Sequence, residues 1–323
     1  MTVERFRVEP GAPKDRLDRL VADRYAGAAT HVSRAEVQRW IDAGRVRVDG
    51  NVAKSSSVVR GGCEVEVDPL PAAASELVPD ASVAFGVLYE DAHLLVVDKP
   101  TGLVVHPARG HWSGTLVHGL LARGSFDRAR WGAEEGDPIE RVRPGIVHRI
   151  DKGTSGLLVV AKDEAAREGL KQQLAAHTVE RVYEAIAVGS TPAATYETLH
   201  GRHPRDRLRF TSLLIAGKRA VTHVARLESL ASGAATRVEC RLETGRTHQI
   251  RVHLAEQART PLLGDALYGK PATDPRVREV EVRLGRPALH ARVLGFVHPV
   301  TGASLRFESP LPADLAEALA ALR

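Results

Sequence analysis

The sequence is poor in cysteine, methionine and aromatic residues: two Cys, one Met, and 4 % Phe, Trp and Tyr together in 323 residues. Cys63 and Cys240 stand far apart and no Cys-x-x-Cys occurs, which argues against a zinc knuckle, a dithiol motif and a disulfide framework. No apolar run approaches the roughly 18 residues of a membrane-spanning helix. The opening Met1-Thr2-Val3-Glu4-Arg5 lacks the apolar core of a signal peptide, so a cytoplasmic protein is expected. Gly-x-Gly-x-x-Gly and P-loop patterns are missing, and no cofactor is expected. Tandem repeats are absent too.

What is present fits a globular chain of one large and one small domain, with 43 % hydrophobic and 26 % charged residues. The formal net charge of +5 is uneven. Residues 141–259 hold 20 Lys and Arg against 12 Asp and Glu, where a phosphate-binding footprint would lie. Residues 1–75 are nearly balanced, with 12 basic and 11 acidic side chains.

Along the chain, Leu17, Leu20, Val21 and Tyr25 recur at helical spacing. Ser33-Arg34-Ala35-Glu36 reads as a capping box, with Val32 and Val37 placed as a hydrophobic staple. Val37, Trp40 and Ile41 continue the buried stripe to Gly44. Val46 and Val48, the Asp49-Gly50 turn and Asn51-Val52 read as a hairpin, closed by a strand at Val65 and Val67. This arrangement resembles an S4-like RNA-binding domain, carried by Arg16-Leu17-Asp18, residues 33–50 and Val65-Glu66-Val67. The resemblance implies that Arg34, Arg39, Arg45 and Lys54 face phosphate; a solvated helix face is the plainer alternative. The Pro- and Ala-rich stretch that follows reads as a linker.

The second domain centres on His148-Arg149-Ile150-Asp151-Lys152-Gly153-Thr154-Ser155-Gly156 and the apolar run Leu157-Leu158-Val159-Val160-Ala161. Asp151 lies among His148, Arg149 and Lys152, neighbours that favour an ionised carboxylate. Gly153 and Gly156 offer positive φ on either side of Thr154 and Ser155. The expectation is an aspartate on a tight loop before a strand buried on both faces, and a surface ion pair is its plainer alternative. Residues 124–140 read as an exposed loop. Asp163 begins a helix with Ala166, Leu170 and Leu174 inward. From Val179 to Val188 a strand turns Tyr183 away from Val182, Ile186 and Val188, towards a ligand or a second core layer. In Glu243-Thr244-Gly245-Arg246-Thr247-His248-Gln249-Ile250-Arg251-Val252-His253-Leu254, alternation sets Arg251 and His253 opposite Ile250, Val252 and Leu254. His248 and His253 lack a third metal ligand at suitable spacing. Pro312 to Leu322 reads as a closing helix.

His148 to Lys162 resembles the signature of the RluA-type family of RNA pseudouridine synthases. Ile150 replaces a usual Leu, and Gly153 stands where an acidic residue is common. Residues 243–254 and Leu263-Gly264-Asp265-Ala266-Leu267-Tyr268-Gly269 are similar to further blocks of that family. Residues 256–261 depart from its short glycine-containing turn. An S4-like domain ahead of such a domain looks like the RluD/RluC-type enzymes of large-subunit ribosomal RNA.

The resemblance implies an α+β fold: a mixed, mostly antiparallel sheet with flanking helices and a central cleft, after a small S4-like α/β domain. The expected limits are 14–70 for the small domain, 71–84 for the linker and 85–323 for the catalytic domain. The implied reaction isomerises uridine in RNA to pseudouridine without metal or other cofactor, on a base flipped out of its stack. Asp151 would be the catalytic carboxylate, Arg251 its cationic partner, and Tyr183 the ring on the uracil. His148, Arg149, Lys152, Thr154, Arg181 and Arg246 would contact substrate, with Arg149 filling the vacated stack. Attack at C1′, attack at C6 and help in losing the C2′ proton all suit Asp151. The implied partner is RNA, and a monomer is expected. Two other readings are a non-catalytic RNA-binding or ribosome-assembly factor and a hydrolase using Ser155, His148 and Asp151. The hydrolase lacks a Gly-x-Ser-x-Gly elbow.

Overall fold

The computed structural model describes residues 3–25, 32, 34–69, 77–107, 111–125 and 145–323. The chain divides into two compact units, Met1–Glu76 and Leu77–Arg323.

The first unit runs β1 (Glu4–Arg7), β2 (Asp15–Arg16), α1 (Leu17–Tyr25), α2 (Arg34–Asp42), β3 (Val46–Val48), β4 (Asn51–Val52), β5 (Val58–Val59) and β6 (Glu64–Val67). Leu17 and Val21 of α1 and Val37, Trp40 and Ile41 of α2 share one core with Val46, Val65 and Val67 of the β1-β6-β3-β4 sheet. Asp49 and Gly50 take φ of 48° and 77°, the positive pair that a two-residue hairpin between β3 and β4 demands. Ser33 lies outside the described residues, as do most of the linker's first half and nearly all of the loop expected at 124–140.

The second unit continues with β7 (Gly86–Glu90), β8 (Leu94–Lys99), α3 (Leu116–Ala122), β9 (Ser155–Ala161), α4 (Glu164–Ala175), β10 (Glu180–Val188), β11 (Ala194–Arg202), β12 (Phe210–Thr211), β13 (Lys218–Leu230), β14 (Ala235–Leu242), α5 (Gln249–Val252), α6 (Pro275–Leu284), β15 (Leu289–Val297), β16 (Ser304–Glu308) and α7 (Ala313–Leu322). Its ten-stranded sheet has the order β12-β11-β13-β14-β10-β15-β9-β8-β7, with β16 also on β15. Pairing is antiparallel throughout except between β9 and β15. The mixed, mostly antiparallel sheet expected from sequence is therefore present.

Parity sorts the core. On β8 and β9, Leu95, Val97, Leu158 and Val160 pack with Leu116 and Leu120 of α3. Leu94, Val96, Leu157 and Val159 pack with Ala166 and Leu170 of α4. Successive side chains of a strand point to opposite faces, so an unbroken apolar run is what a strand covered on both sides requires. On β10, Ile186 joins a core with α6 and α7, while Tyr183 and Ala185 face a cluster that includes Ile150, Ile250 and Leu254.

Two local expectations fail. Residues 249–257 are helical, α5 followed by a π turn at His253–Gln257, where alternation pointed to a strand. Ile250 and Leu254 lie one helical turn apart, so the same apolar residues serve either period. Gln249 decides it: its carbonyl accepts from Thr244 and Arg246, and its amide donates to Val221 and Thr222, closing a turn after β14. Second, only Gly156 of the loop glycines has positive φ, at 106°. Gly153 instead lies against Pro287, where a Cβ would sit 3.1 Å from its ring.

Candidate active site

The Asp151 loop is anchored by its backbone. Thr154, buried, donates its N–H to the Asp151 carbonyl at 3.0 Å. The Lys152 carbonyl accepts from Gly102 N–H at 2.8 Å and from Lys99 Nζ at 3.4 Å. Arg286 donates to the Gly153 carbonyl at 3.2 Å and holds Asp314 with its Nε and a second nitrogen, at 2.7 and 2.8 Å. The loop therefore has the end of β8 and the start of α7 as fixed supports. Lys99 is fully buried and also donates to the carbonyls of Pro100 and Leu103 at 2.8 Å. Burial pushes its ammonium down to about 7, against the pull of Asp151.

Asp151, with 17 % of its side chain exposed, meets Arg251 at 3.1 Å, though 100 positions separate them. The single donor from Arg251 falls on Oδ2. Two further donors of that guanidinium, on Nε and Nη2, serve Asp265, whose side chain is fully buried, through bonds of 2.7 and 2.8 Å. One cation thus sits between two carboxylates in a fixed fork. Burial works against the Arg251 charge, but Asp265 and then Asp151 outweigh it and raise its pKa. Tyr268 lies under the guanidinium, 5.1 Å from ring centre to Cζ. His248, in left-handed backbone conformation at φ 59°, brings Nε2 to 3.9 Å from Asp151 Oδ2.

Tyr183 is buried in the cluster with Ile150 and Ala291, next to a β-bulge between Val182 and Tyr183. Bulges re-aim side chains beside functional sites. Burial pushes its phenol up to about 12; Arg181 opposes the shift and Asp151 adds to it. Arg181 donates to the Glu243 carbonyl at 2.6 Å, and burial lowers its pKa.

The other expected residues divide. Arg149 is exposed and reaches His106 at 3.3 Å, while Lys152 reaches His111 at 3.5 Å. Arg246, half-buried, donates to the Arg219 carbonyl. His148 turns into the fold: its Nε2 accepts the Val159 N–H at 3.1 Å, and burial pushes its pKa down to about 3. Ser155 is buried against His290 at 3.0 Å, so Ser155, His148 and Asp151 do not form a triad. His253 uses both ring nitrogens on Thr198 and Thr222. In the first unit Arg34 pairs with the buried Asp18 and Arg45 with Asp68, while Lys54 is exposed and Arg39 half-buried.

The sequence signature described as RNA pseudouridylate synthase matches residues 93–256, and that of the S4 domain matches residues 16–65. The ribosomal large subunit pseudouridine synthase D of Xanthomonas campestris is 41 % identical over 325 residues, covering 98 % of this chain and 91 % of that protein. The chain belongs to the RNA pseudouridylate synthase family. A chloroplastic RNA pseudouridine synthase 2 of Arabidopsis thaliana is 40 % identical over 363 residues, covering 98 % of this chain and 82 % of the relative. The solved structure of human RNA pseudouridylate synthase domain containing 1 superposes with a TM-score of 0.54 at 25 % identity, over 76 % of this chain and 90 % of that one.

Within this synthase, sequence reasoning missed Lys99, Asp265, Tyr268 and Arg286 as parts of the site. Asp265 and Tyr268 stand in a block already read as similar to the family, and Lys99 lies just past the apolar run Leu94-Leu95-Val96-Val97 of its strand. A charged residue in so apolar a setting was the available signal. Arg286 carried none.

Proposed function

We propose that this chain isomerises uridines of large-subunit ribosomal RNA to pseudouridine, with Asp151 as the catalytic carboxylate. The observation that carries this reading is the Asp151–Arg251 pair at 3.1 Å, joining the two blocks that resemble the family. Arg251 binds Oδ2 alone, so Oδ1 stays available to substrate. Asp265 takes the rest of the guanidinium and leaves the three groups with a net negative charge, which suits an attacking carboxylate. In the reaction the N1–C1′ bond breaks, the uracil turns, C5 joins C1′, and the proton lost from C5 is balanced by one gained at N1. Tyr183 stacks on the base and Arg251 pairs with the carboxylate. Arg149 and Lys152, the exposed cations beside Asp151, and Arg246 and Arg181 hold the RNA around the flipped nucleotide; His148 and Thr154 shape the loop.

Within the first unit an S4-like domain of about 14–70 adds affinity through Arg34, Arg39, Arg45 and Lys54, with residues 71–84 as the linker ahead of the catalytic domain. The large-subunit names of the relatives support this target, and with it a role in ribosome biogenesis; we propose a cytoplasmic protein acting as a monomer.

The test is carbodiimide-based pseudouridine mapping of ribosomal RNA from cells lacking the protein, complemented by wild type or by Asp151→Ala. Specific large-subunit sites should vanish and return only with wild type. An active Asp151→Ala would remove the proposed role of Asp151. Unchanged ribosomal sites, with tritium release from other 5-tritiated uridine RNA, would move the target elsewhere.

A further inference from the structure

The β11–β12 hairpin and the Asp151 loop are distant in sequence, yet two side chains join them. The Phe210 N–H, at the start of β12, donates to the Tyr268 hydroxyl oxygen at 2.8 Å. The same oxygen lies 2.8 Å from His248 Nδ1. Nε2 of that ring is 3.9 Å from Asp151 Oδ2. A phenol has one proton to give, and here its oxygen already accepts from Phe210. Nδ1 is then the acceptor of the Tyr268 proton, which fixes His248 as the Nε2–H tautomer with its N–H on the side of Asp151.

The ring is confined from other directions as well. Phe210 and Tyr268 stand edge-on to it at 5.7 and 5.6 Å. The left-handed backbone of His248 is uncommon for a residue with a Cβ and persists only where surrounding bonds hold it. Burial lowers the imidazole pKa, with Asp151 pulling the other way, so the ring stays neutral near pH 7.

We propose that His248 is a positioning residue for Asp151, its Nε2–H set by the Tyr268 hydroxyl and, through it, by the β11–β12 hairpin. Both donors, from Arg251 and from His248, approach Oδ2 and leave Oδ1 to the substrate. The hairpin also carries Arg202, Arg205, Arg207 and Arg209, with Leu208 and Leu213 exposed beside them. RNA docking on this surface moves Phe210 and Tyr268 as a unit and draws Nε2 from 3.9 Å into hydrogen-bond range of the carboxylate. Catalytic hydrogen bonds that are long in the free enzyme and tighten with substrate are a general pattern. The proposal rests on Asp151 as the reacting carboxylate.

The test uses the full chain as wild type, Tyr268→Phe, His248→Gln and His248→Leu. Tyr268→Phe keeps the ring under Arg251 and removes only the hydroxyl, and His248→Gln keeps a donor near Nε2. Long-range proton–nitrogen NMR reads the His248 tautomer, and single-turnover tritium release at saturating RNA reads the rate. The wild type should show Nε2–H. Tyr268→Phe should populate both tautomers and slow the reaction about ten- to a hundredfold, at little change in KM. His248→Gln should restore most of the rate that His248→Leu loses. An Nδ1–H wild type, a Tyr268→Phe enzyme at full rate, or a Gln variant as slow as Leu would each overturn it. The Asp151→Ala control tests the underlying reading separately, and the wild-type tautomer is read without any activity.

Discussion

Lys99 shows how much the candidate site depends on single buried charges. Its three carbonyl partners lie on the loops beside Asp151, so removing it frees the turn that carries the carboxylate. Its titration gives a prediction with a definite sign. An unfolded lysine keeps its proton to about pH 10.4, whereas burial brings the folded one down to about 7. Between those values the unfolded state holds more protons, so stability rises with pH. The cost of burying the charge is complete below the folded pKa and disappears above the unfolded one. Relative to Lys99→Met, the wild type should therefore gain stability from neutral to alkaline pH, by at most roughly 1.4 kcal/mol per pH unit. Urea unfolding of both proteins at neutral and at alkaline pH measures this. A difference that stays flat would mean that the carbonyl cradle keeps the ammonium charged throughout.

At the scale of elements, the parallel contact between β9 and β15 sets where the Asp151 loop ends. It spans only His290 with Ser155 and Ala291 with Gly156. Farther along, β15 turns to β16 instead, from Val293 to Val297. Gly156 permits the junction: at φ 106°, a Cβ there would stand 2.2 Å from the Ala291 carbonyl oxygen. Gly302, at φ 74°, has open space around it. Gly156→Ala should cost more than about 3 kcal/mol and abolish tritium release, because strain and a backbone clash coincide. Gly302→Ala should cost only about 1 kcal/mol, the price of the backbone conformation alone. Thermal unfolding of the two variants decides it; equal losses would show that β15 yields easily and that the junction is not what fixes the loop.

For the whole molecule, the separate cores lead to a prediction about independence. Among the described residues, the core of Leu17, Val37, Trp40 and Val65 is built from the first unit. Residues 77–323 expressed alone should fold, keep the single-turnover rate on a short RNA within about threefold, and bind structured ribosomal RNA more weakly with a shallower salt slope. Calorimetry and salt titration of the fragment against the full chain measure both. Loss of rate on the short RNA would show that the first unit takes part in chemistry rather than in affinity.

The sequence alone carried the sheet-forming runs, because β8 and β9 hold the unbroken apolar stretches 94–97 and 157–161 and such runs have few other uses. Asp151 and Arg251 are named through the resemblance of their two blocks to the family, and the structure brings the two side chains to 3.1 Å. The sequence could not resolve residues 249–257, where Ile250 and Leu254 satisfy a strand and a helix equally and the Gln249 bonds to β13 decide. His148 shows the reverse case: beside Asp151 in sequence, it turns its ring to the Val159 amide. Lys99 offered a local signal, but its partners, like those of Asp265 and Arg286, could not be read from the sequence for a physical reason. Their side chains bond residues 14, 53 and 133 positions away, and only folding determines which charge stands next to which. Local pattern set the elements and the reactive residue types; the meeting of Asp151, Arg251 and Asp265 belongs to the tertiary structure, because it depends on where two loops and the short helix α5 come together.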